Sequence, residues 1–445
     1  MTAVHDAVVV GGGVAGLAAA TAMAEHGVRV RVFEARPSLG GRTSAFTDPE
    51  TGERVDNGQH VVLGCYTETF RLLRRVGAES FVALQESLVL DVVDRAGRAS
   101  RLRCPRLPSP LHLVAGLAGW EALGWRDRLA AARIGVAPEP APGETVRQWL
   151  ARLGQTPRLV ELLWEPLAVA ALNQPIDEAS AAPFALVVRR MLETRRSAAL
   201  GLPDRPLDEV FAVPASVYIE DRRGVVQTGR TARIDVEEDG GRPVPVVRAG
   251  TEVLRPRVVV CAVPWHALPQ VFPGRPPALR DAIAAAEATG ASPIVTVNLW
   301  FDRPVMPGAF LGLPGRTMQW AFDKHAIFGE AASHVSLVSS GADAITGRSN
   351  QELADLAVAE LRSALPDARS AVLRRAVVVR EKRATFSVAP GQPSRPGNAT
   401  AVPGLALAGD WIGNGLPATI EGAAESGHAA AELALRHLHA TRVRP

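Results

Sequence analysis

A strand that runs directly into a glycine-rich turn constrains this chain more than any other feature of the sequence. Residues 6–10 (DAVVV) predict a buried strand, and the turn from Gly11 to Gly16 has the spacing G-x-G-x-x-G. A helix-like run follows, and a second apolar strand over 28–33 ends at Glu34. This order of elements is typical of the βαβ unit that binds dinucleotides.

The residues of this turn have separate predicted roles. Gly11 lets the chain turn sharply off the strand, Gly13 leaves room for a pyrophosphate, and Gly16 lets the helix pack closely on the sheet. Val14 and Ala15 belong to the first helical turn, whose N–H groups and positive dipole end favour a phosphate. We therefore predict that the turn and the helix N-terminus bind the pyrophosphate of a dinucleotide.

Glu34 and a second glycine motif extend the predicted cofactor site. Glu34 lies 23 positions after Gly11, close to the separation of about 20 expected for a carboxylate that accepts the ribose hydroxyls. An arginine after a double glycine can place its guanidinium beside the same pyrophosphate, although a plain surface turn is the alternative. Two such motifs on one βαβ unit indicate FAD, and the residues added here are Glu34, Ala35, Arg36, Gly40, Gly41 and Arg42.

Length, charge and cysteine content set the frame. The 445 residues exceed the roughly 250–300 at which one core stops growing, so we predict two domains. A formal net charge of +3 is too small to indicate a nucleic-acid partner. The three cysteines are widely spaced without a C-x-x-C pair, which supports neither a disulfide framework nor a metal site. The early first strand and the lack of an apolar run of about 18 residues predict a cytoplasmic protein.

The alternation of strand-like and helix-like blocks predicts an α/β fold. A Rossmann-like FAD-binding domain is expected to be assembled from discontinuous segments, together with a mixed α+β substrate domain. Within the middle cofactor segment, 216–219 is predicted as a strand. The predicted FAD-binding segments are 1–78, 206–270 and 386–445, and the predicted substrate-domain segments are 79–205 and 271–385.

The C-terminal stretch LALAGDWIGNGLPATIEGAAESG is the third informative element. Its hydrophobic strand stops at Gly409-Asp410, and a helix is predicted to begin near Thr419. Ligands of α/β folds bind at the carboxyl ends of strands beside helix N-termini, and such a dipole stabilises negative charge on the N1/O2 side of a flavin. An ordinary β-loop-α closure is the alternative. The residues predicted to contact the cofactor here are Gly409, Asp410, Pro417, Ala418, Thr419 and Ile420.

Longer segments carry a resemblance beyond the nucleotide motif. GGGVAGLAAA, EARPSLGGR and LALAGDWIGNGLPATIEGAAESG together resemble the flavin-dependent amine oxidase and carotenoid desaturase superfamily. DNGQHVVLGCYTETFRLLRRVGA, EPLAVAALNQP, REKRATF and GLPATIEG are similar to the hydroxysqualene dehydroxylases of bacterial hopanoid biosynthesis, also described as squalene-associated FAD-dependent desaturases. The resemblance spans nearly the whole chain. Ile412 and Gln174 stand where that family often has threonine, and Gln174 puts one substrate-side contact in doubt.

The resemblance implies an FAD-dependent oxidoreductase that reduces 12-hydroxysqualene to squalene, with loss of water and oxidation of reduced FAD. Because the hydroxyl is allylic, protonation and departure of water would leave a delocalised cation that accepts hydride from flavin N5. By analogy with the superfamily, the loop over 56–60 should pass close to the isoalloxazine ring, with Gly58 allowing the approach. The loop residues predicted to contact the cofactor are Asn57, Gly58, Gln59 and His60.

His60 is the first candidate for the catalytic acid, because histidine titrates near neutrality. A histidine satisfied by a backbone carbonyl is the alternative. Gln59 in the same loop is a further catalytic candidate, and Asn173 could orient the substrate hydroxyl or simply cap a turn. Lys382, with Glu381 beside it, is a weaker candidate, since charged residues usually lie on solvated faces.

An isoprenoid lipid such as hydroxysqualene would have to be drawn from a membrane. Segment 105–134 places Trp120 and Trp125 among leucines with arginines close behind, a mix expected at a membrane interface. We therefore expect peripheral association with the inner face of the cell membrane, with a buried helix pair as the alternative. Since the sequence has one G-x-G-x-x-G, nicotinamide is expected to have no dedicated site, and an external reductant or reductase should supply electrons.

Two other functions stay open. A carotenoid or phytoene-type desaturase or isomerase would share the fold, the cofactor and an apolar substrate. A non-catalytic flavin- or lipid-binding protein is the alternative from another class. A true amine oxidase fits poorly, because its aromatic cage and N5 lysine would have to come from two tyrosines and two lysines.

Overall fold

The strands come from every part of the chain. The computed structural model describes residues 6–329 and 333–442. In that part of the chain the strands are β1 Ala7–Val10, β2 Val30–Phe33, β3 Ala45–Thr47, β4 Arg54–Asp56, β5 Val62–Leu63, β6 Val82–Leu84, β7 Val89–Val93, β8 Ala99–Arg103, β9 Leu200–Pro203, β10 Val225–Gln227, β11 Ala232–Asp239, β12 Arg242–Ala249, β13 Glu252–Leu254, β14 Val258–Cys261, β15 Ala291–Phe301, β16 Phe310–Gly312, β17 Trp320–Asp323, β18 Ser333–Ser340, β19 Leu373–Phe386 and β20 Leu405–Leu407.

The longest run of helices lies between β8 and β9, and the longest single helix is at the C-terminal end of the described residues. A π-helical turn over Val160–Trp164 lies between the helices Pro157–Leu159 and Glu165–Leu172. The α-helices are α1 Val14–Glu25, α2 Thr67–Arg75, α3 Leu111–Gly119, α4 Trp125–Ala132, α5 Val146–Arg152, α6 Pro157–Leu159, α7 Glu165–Leu172, α8 Ala181–Leu192, α9 Leu207–Glu220, α10 Leu268–Val271, α11 Arg280–Ala288, α12 Lys324–Phe328, α13 Asn350–Ala364, α14 Pro366–Ser370 and α15 Ile420–Arg442.

A five-stranded parallel sheet forms the first layer, in the order β10-β2-β1-β14-β20. Every residue of β1 is buried, as expected for a central strand covered on both faces. The strands of this sheet are separated by long stretches of chain, which confirms the predicted α/β fold with a discontinuous Rossmann-like domain. The exact boundaries of the five predicted segments stay a prediction.

Helix α1 is buried on nearly all sides between this sheet and the helices α9 and α15. Its alanine-rich sequence favours helix and permits close helix packing. A Cβ added to Gly427 of α15 would lie 2.2 Å from the carbonyl oxygen of Ala15, so the two backbones touch at that point. Strands β11, β12 and β13 form a separate antiparallel sheet, and its apolar side chains share a core with β14 and α11.

A second large sheet has the order β19-β15-β18-β17-β16-β7-β8. It is antiparallel except for the β16–β7 pair. Val295, Val297 and Leu299 on one face of β15 pack with Leu353 and Leu361 of α13. Because side chains alternate along a strand, Thr296 and Asn298 lie on the opposite face. A third core, built from α3 to α8, contains Trp120, Trp149, Trp164 and Phe184.

One predicted strand is wrong. Residues 216–219 lie in α9, not in a strand. The β-branched Val217 and Ile219 suggested a strand, but Val210, Phe211, Ala215 and Ile219 recur at helical spacing and are buried on one face. Asp208 and Glu209 in the first turn also favour a helix start. No helix among the described residues is long and apolar enough to cross a membrane.

Candidate active site

The glycine-rich turn contains glycines of two kinds. A Cβ at Gly11 would lie 2.4 Å from the carbonyl oxygen of Ala262, and one at Gly16 would lie 1.9 Å from that of Gly11. These two positions are therefore fixed by packing of the turn against the end of β14. A Cβ at Gly13, in contrast, would meet nothing within 4 Å. Gly13 is also the N-cap of α1 and provides no side-chain cap, so an open space adjoins an uncapped helix N-terminus.

The two glycine motifs meet at this open space. The backbone N–H of Gly40 donates to the carbonyl of Gly12 (2.8 Å), and a Cβ at Gly41 would lie 3.4 Å from Cα of Gly13. Glu34 accepts from the backbone N–H of Gly12 through Oε2 (2.7 Å). Its other oxygen accepts from the N–H of Arg36 (2.8 Å), while the side chains of Arg36 and Ala35 are exposed.

Arg42 connects this turn to the far end of the chain. Its Nη2 donates to Oδ1 of Asp410 (2.6 Å), and Nη1 donates to the carbonyl of Ala384 (2.8 Å). Burial disfavours the charged guanidinium, but the carboxylate of Asp410 outweighs it, and the pKa of Arg42 lies above its ordinary value. Asp410 is itself buried, next to Gly409 at the carboxyl end of β20. Residues predicted separately from the two ends of the sequence therefore lie together.

The N-terminus of α15 is partly capped from within. Thr419 accepts from the backbone N–H of Gly422 through Oγ1 (3.0 Å), so its hydroxyl caps the helix. Pro417 and Ile420 are buried, and Ala418 is half-buried. Glu421 points away from this end. Its carboxylate accepts from the backbone N–H groups of residues 68 and 69 at the start of α2 (3.0 and 2.8 Å).

The loop after β4 is pinned to the second sheet. Asp56 forms an ion pair with Lys324 (Oδ2–Nζ 2.6 Å), and both side chains are almost fully buried. Nδ2 of Asn57 donates to Oε2 of Glu381 on β19 (3.2 Å). Gly58 faces β15, where its Cβ position lies 4.0 Å from Oγ1 of Thr296. The loop therefore lies between the parallel sheet and the polar face of the second sheet.

His60 is held by its own loop. Its Nδ1 lies 2.8 Å from the carbonyl oxygen of Gly58, and because a carbonyl only accepts, Nδ1 carries a proton. Burial lowers the pKa of His60, and the positive charges of Arg42 and Lys324 lower it further. The hydrogen bond to the Gly58 carbonyl and the charge of Asp56 oppose this shift without cancelling it. The ring is therefore more often neutral near pH 7 than an ordinary histidine, with Nε2 as an acceptor.

Three side chains, one on this loop and two on the strand that Gly58 faces, have buried polar atoms without a hydrogen-bond partner. The atoms without a partner are the amide oxygen and nitrogen of Gln59, Oγ1 of Thr296 and Nδ2 of Asn298. Sequence reasoning identified Gln59 but missed Thr296 and Asn298. The available signal was the strand ASPIVTVNLWF, in which these two polar residues alternate with valine and leucine.

The other two predicted catalytic residues have different surroundings. Asn173 ends α7 in a left-handed conformation (φ 52°). Its Nδ2 donates to the carbonyl of Ser292 and to Oγ1 of Thr385 (both 3.0 Å), so both amide hydrogens are used to join the helix to β15 and β19. Lys382 is exposed on β19, whereas the adjacent Glu381 contacts the loop through Asn57.

The two tryptophans of segment 105–134 differ in exposure. Trp120 is 0% exposed and its Nε1 donates to Oγ of Ser100 (3.1 Å), so its expected place at a membrane interface is wrong. Trp125 is 66% exposed at the start of α4. Four more large apolar side chains of this segment are exposed, and with Trp125 we call them the α3–α4 patch: Leu107, Leu111, Val114 and Leu129.

The parallel sheet, its open glycine turn and the second sheet closing over the loop define an FAD-dependent oxidoreductase. Residues 14–435 match the family described as flavin containing amine oxidoreductase. The chain belongs to this family, which confirms both the predicted cofactor and the predicted class of enzyme. The open space at Gly13 beside an uncapped helix fits the pyrophosphate of FAD. Among the residues that the structure describes, no cluster of His, Cys, Asp or Glu could hold a metal ion.

Several named enzymes match this sequence over nearly the whole chain. Hydroxysqualene dehydroxylase of Rhodopseudomonas palustris is 32% identical over 435 residues, covering 96% of this chain and 97% of the relative. The enzyme of the same name from Sinorhizobium fredii is 29% identical, with the same coverage of both chains. The 15-cis-phytoene desaturase of Capsicum annuum is 25% identical, covering 96% of this chain and 77% of the relative. The resemblance inferred from the sequence is confirmed at the level of the family.

Solved structures share the fold. An oxidoreductase from Methanosarcina mazei superposes with a TM-score of 0.73 at 17% identity, covering 96% of this chain and 99% of the other. A putrescine oxidase variant superposes with a TM-score of 0.72 at 18% identity, covering 97% and 99%. At these identities the likeness concerns the architecture.

Proposed function

We propose that this enzyme converts 12-hydroxysqualene to squalene. The observation that carries the proposal is the 32% identity to a hydroxysqualene dehydroxylase over 96% of the chain. In this reaction a C–O bond breaks, the hydroxyl takes up a proton and leaves as water, and an allylic carbon gains a hydride. Bound FAD, in its reduced form, supplies that hydride.

The residues gathered at the turn are proposed to hold the cofactor. Gly13 and the N-terminus of α1 would receive the pyrophosphate, since free N–H groups and the positive dipole end face the open space. Glu34 would accept the ribose hydroxyls, and Arg42, fixed by Asp410, would keep a positive charge beside the turn. The N-terminus of α15 would lie beside the flavin ring, where its dipole favours negative charge.

The loop over 56–60 is proposed to present the proton donor. His60 is half-buried, and its Nε2 is the ring atom that the loop carbonyl leaves available. Because its pKa is lowered, the ring donates a proton readily once it has been protonated. The buried pair of Asp56 and Lys324 fixes the loop in place, so Gln59 and His60 share one rigid support.

The α3–α4 patch is proposed to rest on the inner face of the membrane and admit the lipid substrate. Its exposed tryptophan and aliphatic side chains would enter the headgroup boundary. Arg126, whose guanidinium lies 5.3 Å from the Trp125 ring centre, would contact anionic headgroups. Exposed apolar groups near basic residues are typical of peripheral attachment.

The reducing equivalents are proposed to come from a separate reductant or reductase. The sequence has one G-x-G-x-x-G turn, and this turn is assigned to FAD. Stopped-flow mixing of the holoenzyme with NADPH should leave the flavin absorbance unchanged on the timescale of turnover. Rapid stoichiometric bleaching would contradict this part of the proposal.

Product analysis separates the candidate functions. Anaerobic incubation of dithionite-reduced holoenzyme with 12-hydroxysqualene should yield squalene, and the oxidised holoenzyme should leave phytoene unchanged. A desaturated product from phytoene, without squalene formation, would favour the desaturase that the likeness to phytoene desaturases suggests. Turnover of neither compound would favour a flavin- or lipid-binding protein. FAD-free protein is the matched control.

A further inference from the structure

One face of the second sheet carries an unusual set of buried polar atoms. Thr296 and Asn298 are each 1% exposed, and Oγ1 of Thr296 and Nδ2 of Asn298 have no partner. Both amide atoms of Gln59, in the loop that covers this face, are also buried and unpartnered. We call these three side chains the Gln59–Thr296–Asn298 cluster.

The cluster has no evident role in stability. A buried donor or acceptor left unpaired destabilises the folded state, because it gives up its hydrogen bonds to water without replacing them. Val295, Val297 and Leu299, on the other face of the same strand, pack in the core around α13 in the ordinary way. Aliphatic residues would serve equally well on the polar face if the sheet alone decided the sequence. Unpaired polar atoms in a native structure therefore point to a bound polar group.

Asn298 is fixed in the orientation that leaves its donors available. Its Oδ1 lies 3.0 Å from Nε2 of His334, and because an amide oxygen only accepts, Nε2 is the donor. The His334 ring is stacked on Trp300 with centroids 4.1 Å apart. Trp300 in turn donates through Nε1 to Glu53 (2.5 Å). This chain of contacts fixes the carbonyl end of the amide and leaves both hydrogens of Nδ2 for another acceptor.

An aromatic surface adjoins the cluster on the same face. Directly paired residues of an antiparallel sheet share a face. Trp320 pairs with Val338, which pairs with Thr296. Phe322 and Asn298 are both paired with one residue of β18, the strand between them, so they also share this face. Phe310 stacks on Phe322 with ring centroids 6.2 Å apart. The face therefore combines a small polar site with an aromatic surface, in which Nε1 of Trp320 is a further buried donor without a partner.

We propose that the Gln59–Thr296–Asn298 cluster binds the hydroxyl group of the substrate, and that Phe310, Trp320 and Phe322 line the path of its hydrocarbon chain. The assignment rests on the proposed function, since it requires an isoprenoid alcohol as ligand. One amide N–H, from Gln59 or Asn298, donates to the hydroxyl oxygen, and Oε1 of Gln59 or Oγ1 of Thr296 accepts its hydrogen, so the second lone pair of the oxygen stays free for the proton with which it leaves as water. That donor also stabilises the negative charge that the oxygen gains as the C–O bond lengthens and before the proton is fully transferred.

Ligand binding to the oxidised holoenzyme tests this assignment without turnover. Perturbation of the flavin absorbance in detergent micelles reports the affinities for 12-hydroxysqualene and squalene. The variants are Gln59→Met, Thr296→Val and Asn298→Leu, which keep roughly the same volume. Ser339→Ala is the matched control, because Ser339 is buried on β18 opposite Val295, on the other face of the sheet.

Wild type should bind the alcohol more tightly than the hydrocarbon. Each cluster variant should weaken alcohol binding about 3- to 10-fold, the usual worth of one hydrogen bond. Squalene binding, the ratio of FAD to protein and the control variant should be unchanged. Wild-type alcohol affinity in all three variants would overturn the assignment, and so would a parallel loss of FAD.

The assignment and the proposed function fail in different ways. If wild type converts 12-hydroxysqualene to squalene and the three variants bind and convert it equally well, the cluster assignment is wrong and the function stands. If wild type forms no squalene but binds the alcohol selectively, with that selectivity lost in the variants, the cluster assignment stands and the reaction is wrong.

Discussion

The same substitution at two glycines of the opening turn should affect two different properties, cofactor binding at Gly13 and folding stability at Gly16. Gly13 has φ −77° and ψ 178°, a conformation open to any residue, and space for a methyl group. Gly16 has no such space, because its Cβ would lie 1.9 Å from the carbonyl oxygen of Gly11. Gly13→Ala therefore changes the surface offered to FAD, whereas Gly16→Ala changes the packing of the fold.

The magnitudes follow from these geometries. At Gly13, alanine is less favourable than glycine at an N-cap position (by up to about 1 kcal/mol), and this loss is offset by the reduced entropy of the unfolded chain (about 0.4–1 kcal/mol). The free energy of unfolding should therefore change by less than about 0.5 kcal/mol. A methyl group at the pyrophosphate should remove at least one charge-assisted hydrogen bond, about 1.5–3 kcal/mol, or 10- to 100-fold in FAD affinity. At Gly16, an overlap of about 1 Å with backbone should cost about 3 kcal/mol or more.

Two measurements separate the effects. Urea unfolding followed by circular dichroism, without added FAD, gives the stability of the polypeptide. Titration of FAD with quenching of its fluorescence gives the affinity. Gly13→Ala with wild-type FAD affinity would refute the assignment of this space to the pyrophosphate. Gly16→Ala with wild-type stability would refute the packing argument.

Three further predictions concern the membrane, stability and proton transfer. Trp125→Ser should reduce co-sedimentation with anionic liposomes, whereas Val217→Ser, at an exposed apolar residue of α9 (51% exposed, against 66% for Trp125), should not. Equal loss in both variants would contradict a specific patch. Burial, assisted by Arg75, lowers the pKa of His428 to about 4. The unfolded chain then binds this proton more tightly than the folded protein does, so the free energy of unfolding should fall as the pH drops from about 6.5 to about 4. In denaturation curves measured across this range, His428→Gln should reduce the dependence of that free energy on pH. An unchanged pH dependence would contradict the argument. The lowered pKa of His60 predicts that single-turnover dehydroxylation accelerates as pH falls below neutrality and that His60→Gln loses this dependence; a rate that rises with pH would exclude His60 as the acid.

The strand–turn–helix unit at the start of the parallel sheet was predictable because its rules are local. Strand, turn and helix follow one another within 30 residues, and each glycine position follows from backbone geometry. Arg42 and Asp410 were both identified from the sequence. Their direct ion pair was not, because it depends on how strands separated by more than 300 residues assemble into one sheet.

Other features depend on tertiary contacts that spacing does not encode. Trp120 and Trp125 look alike in sequence, yet only Trp125 is exposed, since the partner of Trp120 is Ser100 on β8. Thr296 and Asn298 read as ordinary strand residues until the loop over 56–60 is placed above them. The tautomer of His60 follows from a carbonyl two residues away, a contact that only the folded loop defines.

The most direct test of the proposed reaction is the stoichiometry of a single anaerobic turnover. Dithionite-reduced holoenzyme, freed of excess reductant, is mixed with 12-hydroxysqualene while the flavin absorbance is recorded, and the products are then quantified. The proposed function predicts one squalene formed for each flavin that returns to the oxidised spectrum. A flavin that stays reduced, or one that becomes oxidised without forming squalene, would contradict it.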